Sequence, residues 1–563
     1  MKFNNLSNRF WSIRLKLTTP MILMGGLYLL VMGMTMYWIR QDTLPLPYDY
    51  AGYMAVSGSL GQPLSHGNLV QAAKIFIHHD IWGQRPALFP LTGALAFLLV
   101  GSSVHRILFL TNLFWASILL FSTYQIATFF GKRNNALIAG FIILTTPVIF
   151  GSLRNYTIDM PLTAAVATAM ACLFTTDGFR NRGKSIFFAC IFGMGMLTKE
   201  TFLLYMVIPV LVYFVSILLD QSTGRKARLV NYITSVFIAL LFALPVYIPI
   251  VGPLLKNVLE NVGNKVGQFY SRGYTRSQLG YYTVYLKLLI GYGMPFLYLI
   301  IPLLGYSINI FMPKSPKRQN KIIENTFNNL DGLAFLSWMI VPPLILTLFV
   351  VDTNYRFIMP ILPAIAVALS ILIGKINSNF IYKVTITLLL LIGIIQFYAM
   401  SFGVKTLPSE VSFRGYSLWN QFNIQDPFIK LGKPLKENWP VQPVLTLIRN
   451  EADTSASPVW VGLLTNTTFF SENIFSCYAN LGNLPLRFIG IGEWSQNTDY
   501  INNINNVIYI VTKSGDTGPP FATVYYKEAN QYLQQLVKKK VYQLIGKFPL
   551  PDGTNAMVYK RLI

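Results

Sequence analysis

Eleven stretches of this chain are apolar over roughly the 20 residues that a helix needs to cross hydrocarbon. They cover residues 17–39, 106–130, 136–153, 160–176, 185–199, 202–219, 229–251, 284–311, 332–350, 357–373 and 380–402. Most of the chain is therefore expected inside a bilayer, and the composition agrees: 53% of residues are apolar, 14% aromatic and only 12% charged, which is closer to lipid-embedded proteins than to soluble ones. The first run follows a leader carrying Lys2, Arg9, Arg14 and Lys16. It is too long for the apolar core of a signal peptide and no small-residue cleavage site follows, so it reads as an uncleaved first span.

One further apolar segment, Pro86 to Val104, is long enough to cross but opens with Pro86 and Pro90 and is interrupted by glycine. Charge bias decides its reading. If it does not cross, the basic N-terminus shares a side with the basic loops "GKRNN" at 131, "DGFRNRGK" at 177, "STGRKAR" at 222, "PKSPKRQNK" at 313 and "GKINSNFIYK" at 374, and that side is cytoplasmic by the positive-inside bias. The expectation is a juxtamembrane or re-entrant helix pair at Pro86 to Val104, a cytoplasmic N-terminus and a first outer loop over about 40–105. The net charge of +23 falls largely in loops facing anionic inner-leaflet lipid, and nucleic acid is not called for. The localisation expected is the plasma membrane, the inner membrane of a bacterium.

From about Ser401 the composition changes, with Asn, Gln, Pro and charged residues between short β-type runs: "VWVGLL" at 459, "VIYIV" at 507 and "VYQLIGKF" at 541. A helix is expected over "KEANQYLQQLVKKK" at 527, a Pro-Asp-Gly turn in "LPDGTNAMVYK", and a loop at the Asn cluster 502–506. The fold class is thus a polytopic α-helical membrane protein, with residues 1–402 as the transmembrane domain and 403–563 as a soluble extracytoplasmic α/β domain. Cys172, Cys190 and Cys477 imply no disulfide framework. "FIHHDIWGQ" holds His78, His79 and Asp80, but adjacent histidines point apart in regular structure and the stretch reads as loop or helix surface. The Lys-, Arg- and Tyr-rich stretch 252–283 reads as a loop, either gating a substrate or lying on headgroups.

Ionisable groups collect at one expected surface: Asp49 in "PLPYDYAGYM", Arg85 in "GQRPALFP", Arg154 and Asp159 in "RNYTIDMPL", Lys199 and Glu200 in "LTKETF", and Asp352 and Arg356 in "VDTNYRFIMP". Charges beside hydrocarbon are expensive and tend to face a cavity or a partner, so the cluster points to a site. Each residue also has a structural reading: Asp49 as a helix N-cap, Asp159 as the cap of the next span with Pro161 in its first turn, and Arg85, Lys199 and Arg356 as side chains snorkelling to headgroups.

The order of these elements resembles the GT-C superfamily over roughly residues 1–400. "YDYAGYM" follows the first span, the Arg-Pro step of "QRPALFP" comes some 36 positions later, and "IDMPLT", "GMLTKETF" and "NYRFIMPILPAIA" follow in turn. Within that superfamily it is similar to enzymes using polyprenyl-phosphate sugars, including protein O-mannosyltransferases and the transferases that add aminoarabinose to lipid A. Their first outer loop often reads Asp-Glu-x-x-Tyr; Asp49 and Tyr53 fit, and Tyr50 stands in place of the Glu. Their Lys-Pro-Pro is Arg85, Pro86 and Ala87 here.

The resemblance implies a GT-C fold of about 11 transmembrane helices plus juxtamembrane helices, and inverting transfer of a single sugar from a polyprenyl-phosphate-linked donor to a hydroxyl on a lipid, glycan or protein acceptor at the outer face. Asp49 would be the general base and Asp159 a second catalytic carboxylate that orients the acceptor, shares the base role or holds a cation. Arg85, Lys199 and Arg356 would bind the donor phosphate, with Tyr53, Glu200 and Tyr355 lining the substrate pocket. Membrane lipids are partners, no cofactor is called for, and room is left for a divalent cation. A transporter or flippase is the alternative of another class; ionisable groups at one surface and no inverted repeat argue against it. A ligase using a diphosphate-linked oligosaccharide fits less well with the modest outer domain and the "IDMPL" and Arg-Pro pattern.

Overall fold

The computed structural model describes residues 19–78, 85–263, 278–290, 293–311, 330–350, 353–413, 416–420, 429–452, 458–492, 499–519 and 525–562. Seven stretches of helix are long and apolar enough to cross a membrane: Thr19–Gln41, Val104–Phe130, Phe202–Leu219, Arg225–Lys256, Leu330–Phe349, Tyr355–Gly374 and Asn379–Phe402. The other four expected spans are shorter or broken, and their own side chains explain two of the breaks. In 136–153, the Thr145 and Thr146 hydroxyls donate back to the Phe141 and Ile142 carbonyls at 2.6 and 2.7 Å. Pro147, which has no N–H to continue the ladder, then opens a new helix, so the run divides into Arg133–Leu144 and Pro147–Ser152. The expected span 284–311 divides into Leu279–Leu289 and Phe296–Phe311, with Gly293 and Pro295 between them. Asp159–Thr175 and Arg182–Met196 are single helices of 17 and 15 residues.

Pro86 to Val104 contains one helix, Leu88–Val100, whose 13 residues reach on the order of 20 Å, short of the ~30 Å of a hydrocarbon core. It lies against the helix Tyr48–Ser65. Small residues permit the approach: a Cβ on Gly61 would sit 2.5 Å from the Phe97 ring, and one on Gly93 would sit 1.8 Å from the Tyr156 hydroxyl.

The connections between helices gather at two ends. At one, Arg228 Nε donates to Gly178 O at 2.8 Å and Asn231 Nδ2 to Phe179 O at 2.9 Å, while Asn309 Oδ1 accepts from Asn377 N at 2.8 Å. At the other end the segments after Gln41, before Asp159, before Phe202 and before Tyr355 converge, and this end carries Asp49, Tyr53, Arg85, Asp159, Lys199, Glu200, Tyr355 and Arg356. The helix Arg225–Gly263 runs past the expected limit at 251, so the first part of the stretch read as a loop is helical. Residues 264–277 of that loop lie outside the described residues.

After Phe402 the chain leaves the bundle at Gly403, whose φ of +71° suits a residue without Cβ. Beyond it stands a five-stranded mixed sheet in the order Leu486–Gly490, Val459–Leu464, Tyr509–Lys513, Asn555–Arg561, Tyr542–Pro549. The first three strands are parallel and the last two antiparallel. Val461 and Leu463 face the main core with the helix Glu472–Leu481, whereas Leu464 and Ile510 face a second core with the helix Tyr526–Lys538. Alternate residues thus serve opposite faces, as the period of a strand requires. The Asn cluster 502–506 is not a loop: Asp499 caps a helix, Tyr500–Asn506, by accepting from Asn502 N at 3.1 Å, and Ile504 is buried.

This C-terminal part is packed onto the bundle rather than standing apart. Its helix Glu472–Leu481 lies on Tyr48–Ser65, where a Cβ on Gly58 would sit 3.1 Å from Leu481 N, and Asn480 Nδ2 donates to Ser59 Oγ at 3.0 Å. One hydrophobic core runs from Met24 in the first helix to Val558 in the last strand.

Candidate active site

Asp49 stands in the first turn of Tyr48–Ser65, and it is not the cap. Pro47 holds that position, with extended backbone and no side-chain bond. Tyr48 has a φ of +39°, a conformation that costs a bulky residue energy and persists only where neighbours impose it. One such neighbour is Thr468 of the C-terminal part, whose Oγ1 donates to the Tyr48 hydroxyl at 3.0 Å. The Asp49 side chain is half-buried, and no hydrogen bond or ion pair to it is found among the described residues.

The same helix holds two arginines from distant segments. Tyr50 accepts from Arg356 Nη1 at 3.0 Å and Tyr53 from Arg85 Nη1 at 2.7 Å; residues three apart share one helix face. Arg85 Nε also lies 3.8 Å from Glu200 Oε1. Burial opposes the charge on Arg85, but Tyr53, Glu200 and Asp49 more than offset it, so its pKa is raised.

Asp159, by contrast, is fully engaged. Lys199 Nζ is 2.7 Å from its Oδ1, Arg356 Nη1 is 3.5 Å from its Oδ2, and the Thr157 hydroxyl donates to Oδ2 at 3.1 Å. The Lys199 and Asp159 side chains are 5% and 1% exposed, so this is a buried pair; snorkelling does not describe Lys199. Nor does Asp159 cap its helix, since Ile158 occupies that position. Tyr355 is buried beside Arg356 at the head of a 3₁₀ turn, Tyr355–Ile361.

The structure therefore brings Asp49, Tyr53, Arg85, Glu200, Asp159, Lys199, Tyr355 and Arg356 to one end of the bundle, linked through Tyr50. Arg154 goes elsewhere. Its guanidinium sits 5.0 Å from the ring centres of both Trp38 and Phe150 and donates to Ser401 Oγ and Lys430 O. Nearby Lys430 pairs with Asp42. Asp352, His79 and Asp80 lie outside the described residues, and His78 merely ends the helix Leu69–Ile77. Among the described residues no three His, Cys, Asp or Glu side chains are grouped to hold a metal, and the three cysteines are free. Sequence reading missed the roles of Tyr50 and Thr157. Thr157 had a local signal, lying two residues before an acid it can bond; Tyr50 had none, because its partner is 306 positions away.

Over nearly its whole length the chain is similar to ArnT from Cupriavidus metallidurans: TM-score 0.56 at 12% identity, covering 95% of this chain and 97% of that one, for the apo enzyme. ArnT bound to undecaprenyl phosphate gives 0.55 at 12% identity with the same coverage. The oligosaccharyltransferase of Archaeoglobus fulgidus gives 0.50 at 10% identity, covering 94% of this chain and 72% of that one. No curated protein matches significantly by sequence. The fold is of the GT-C type. Residues 84–249 match the family described as dolichyl-phosphate-mannose-protein mannosyltransferase, and this stretch holds Arg85, Asp159, Lys199 and Glu200.

Proposed function

We propose that this protein moves a single sugar from a polyprenyl-phosphate carrier to an acceptor hydroxyl, inverting the anomeric centre, at the outer face of a bacterial inner membrane. The observation that carries the assignment of roles is the contrast between the two aspartates: Asp49 makes no hydrogen bond or ion pair among the described residues and only acts at a distance on Arg85, while Asp159 is held by Lys199 and Arg356. A general base needs a lone pair within reach of the acceptor, and we assign that role to Asp49.

In this reading the acceptor oxygen attacks the anomeric carbon as its proton passes to Asp49. The bond from that carbon to the phosphate oxygen breaks on the opposite side, and the electron pair leaves with the lipid monophosphate. Arg85 and Arg356, whose side chains are 21% and 15% exposed, bring two guanidinium forks to this end, and a fork matches phosphate oxygens in pairs. Lys199 acts from behind through Asp159, which holds Lys199 and Arg356. Glu200 orients Arg85, and Tyr355 packs beneath Arg356. The likeness to an ArnT that binds undecaprenyl phosphate supports a polyprenyl phosphate as the carrier. The acceptor is a lipid, glycan or protein hydroxyl.

Purified protein in nanodiscs, given a panel of radiolabelled polyprenyl-phosphate sugars and envelope acceptors, tests this. Wild type is expected to transfer sugar and Asp49→Asn to be about 10²–10⁴-fold slower. Equal rates would remove Asp49 as base, and no transfer by wild type with any donor would sink the function itself. A reporter fused after Phe402 is expected to be active only outside the cytoplasm.

A further inference from the structure

The C-terminal part is a small α/β sheet whose parallel strands Val459–Leu464 and Tyr509–Lys513 end at the site. In such sheets the crevice for ligands lies beyond the carboxyl ends of strands whose following helices pass to opposite faces, because the loops part there. That condition holds here. Val459–Leu464 leads to the helix Glu472–Leu481 on the main-core face, and Tyr509–Lys513 leads to the helix Tyr526–Lys538 on the other. The loops 465–471 and 514–519 that follow these strands are joined where Asn466 N donates to Thr517 O at 2.7 Å.

Residues 465–468 and 514–517 are polar or small and, Asp516 apart, uncharged. Thr467 and Thr468 are half-buried, and Asn466 is only 8% exposed, yet its side-chain amide makes no hydrogen bond among the described residues. Asp516 is exposed. The nearby cation is already committed: Lys513 Nζ lies 2.7 Å from Asp552 Oδ2 and donates to Asp516 O at 2.9 Å. A phosphate would meet a carboxylate here and no free ammonium among the described residues, whereas a sugar ring would meet an amide, a carboxylate suited to vicinal hydroxyls, and the oxygens of Thr467 and Thr468, which donate to Phe470 O and the Tyr48 hydroxyl and can still accept. Thr468 Oγ1 touches the Tyr48 hydroxyl, one residue from Asp49.

We propose that the loops 465–468 and 514–517 form an acceptor subsite for a neutral, hydroxylated sugar ring, which they present to Asp49. This rests on the sugar-transfer reading above. The test uses full-length protein in nanodiscs, saturation-transfer NMR with a panel of free neutral disaccharides, glucose 1-phosphate as the anionic arm, a short hydroxyl-bearing peptide as the protein arm, and a separate titration with undecaprenyl phosphate. Wild type is expected to bind a disaccharide in preference to the other two. Asp516→Ala, on an exposed loop, and Asn466→Ala are each expected to weaken that binding about ten-fold, as losing a charge-assisted or buried hydrogen bond would, with undecaprenyl phosphate affinity unchanged. Asp516→Ala decides if Asn466→Ala fails to fold. The subsite is overturned if undecaprenyl phosphate binds while no disaccharide does, if Asp516→Ala binds disaccharide as wild type does, or if the peptide or the sugar phosphate is preferred. Failure of undecaprenyl phosphate to bind would instead strike the donor reading.

Discussion

Two groups of charged side chains occupy the same end of the bundle, and they differ in how completely their charges are spent. Around Arg154 the guanidinium is enclosed by Trp38, Phe150 and Phe397, Lys430 pairs with Asp42, and Asp42 also accepts from Leu435 N at 3.1 Å. Trp38 Nε1 donates to Ser401 O and Gly432 O at 3.0 and 2.9 Å. This group ties the returning segment 429–440 to the first and last helices of the bundle. Around Asp49 the cations are also held, by Tyr50, Tyr53, Glu200 and Asp159, but Asp49 itself makes no ion pair among the described residues. Charge gathered at one end of the bundle does not by itself mark a site, and the proposed role of Asp49 rests on this difference.

The largest effect expected from this contrast is on the Lys430–Asp42 pair. Lys430→Met should destabilise the protein by about 3–5 kcal/mol, because it leaves Asp42 buried without its counter-ion, while Asp49→Asn should shift stability by less than about 0.5 kcal/mol. Thermal unfolding in detergent measures both, and equal losses would erase the distinction between the two groups. Asp159→Asn comes next, at about 3 kcal/mol, because it leaves Lys199 buried without its counter-ion. Adding Lys199→Met should restore much of that stability without restoring sugar transfer; recovery of both would reduce the pair to scaffolding.

Smaller effects sharpen the picture. Tyr50→Phe removes the phenol that accepts from Arg356, costing about 1.5 kcal/mol of positioning, and should raise the KM for donor while leaving the KM for acceptor unmoved; the reverse split would place Arg356 on the acceptor side. The smallest effect concerns Glu472, a carboxyl that burial pushes up to about 7, with its bond from Ser476 pulling the other way. A raised carboxyl favours the folded state at low pH, and its contribution is lost as pH rises from the ordinary carboxylate range through about 7. Glu472→Gln should therefore stabilise the protein at pH 8 and leave it unchanged at pH 4. A gain at pH 4 equal to that at pH 8 would rule out titration as the cause.

Where local chemistry suffices, the chain was legible. "VWVGLL" is the strand Val459–Leu464, the helix at 527 is Tyr526–Lys538, and Pro551, Asp552 and Gly553 turn between strands with Asp552 Oδ1 accepting from Thr554 N at 3.1 Å. The breaks at Thr145–Thr146 and Gly293–Pro295 were present as residues but outweighed by the apolar runs around them. The candidate site was legible as a set of residue types in order, but not as a set of pairs. Lys199 reaches Asp159 across 40 positions and Arg356 reaches Tyr50 across 306, and no short pattern encodes such distances. For the same reason Arg154 looked like a site residue beside Asp159, five positions away, until its aromatic cage was seen.

The amino-acid order alone determined which segments avoid water and which residues bring charge to their ends, because transfer free energy and turn chemistry act over a few neighbouring residues. Only the tertiary structure decided that Asp159 is neutralised by Lys199 and Arg356 while Asp49 makes no ion pair among the described residues, because an ion pair depends on distance in space, and those distances were set by packing helices and sheet against one another.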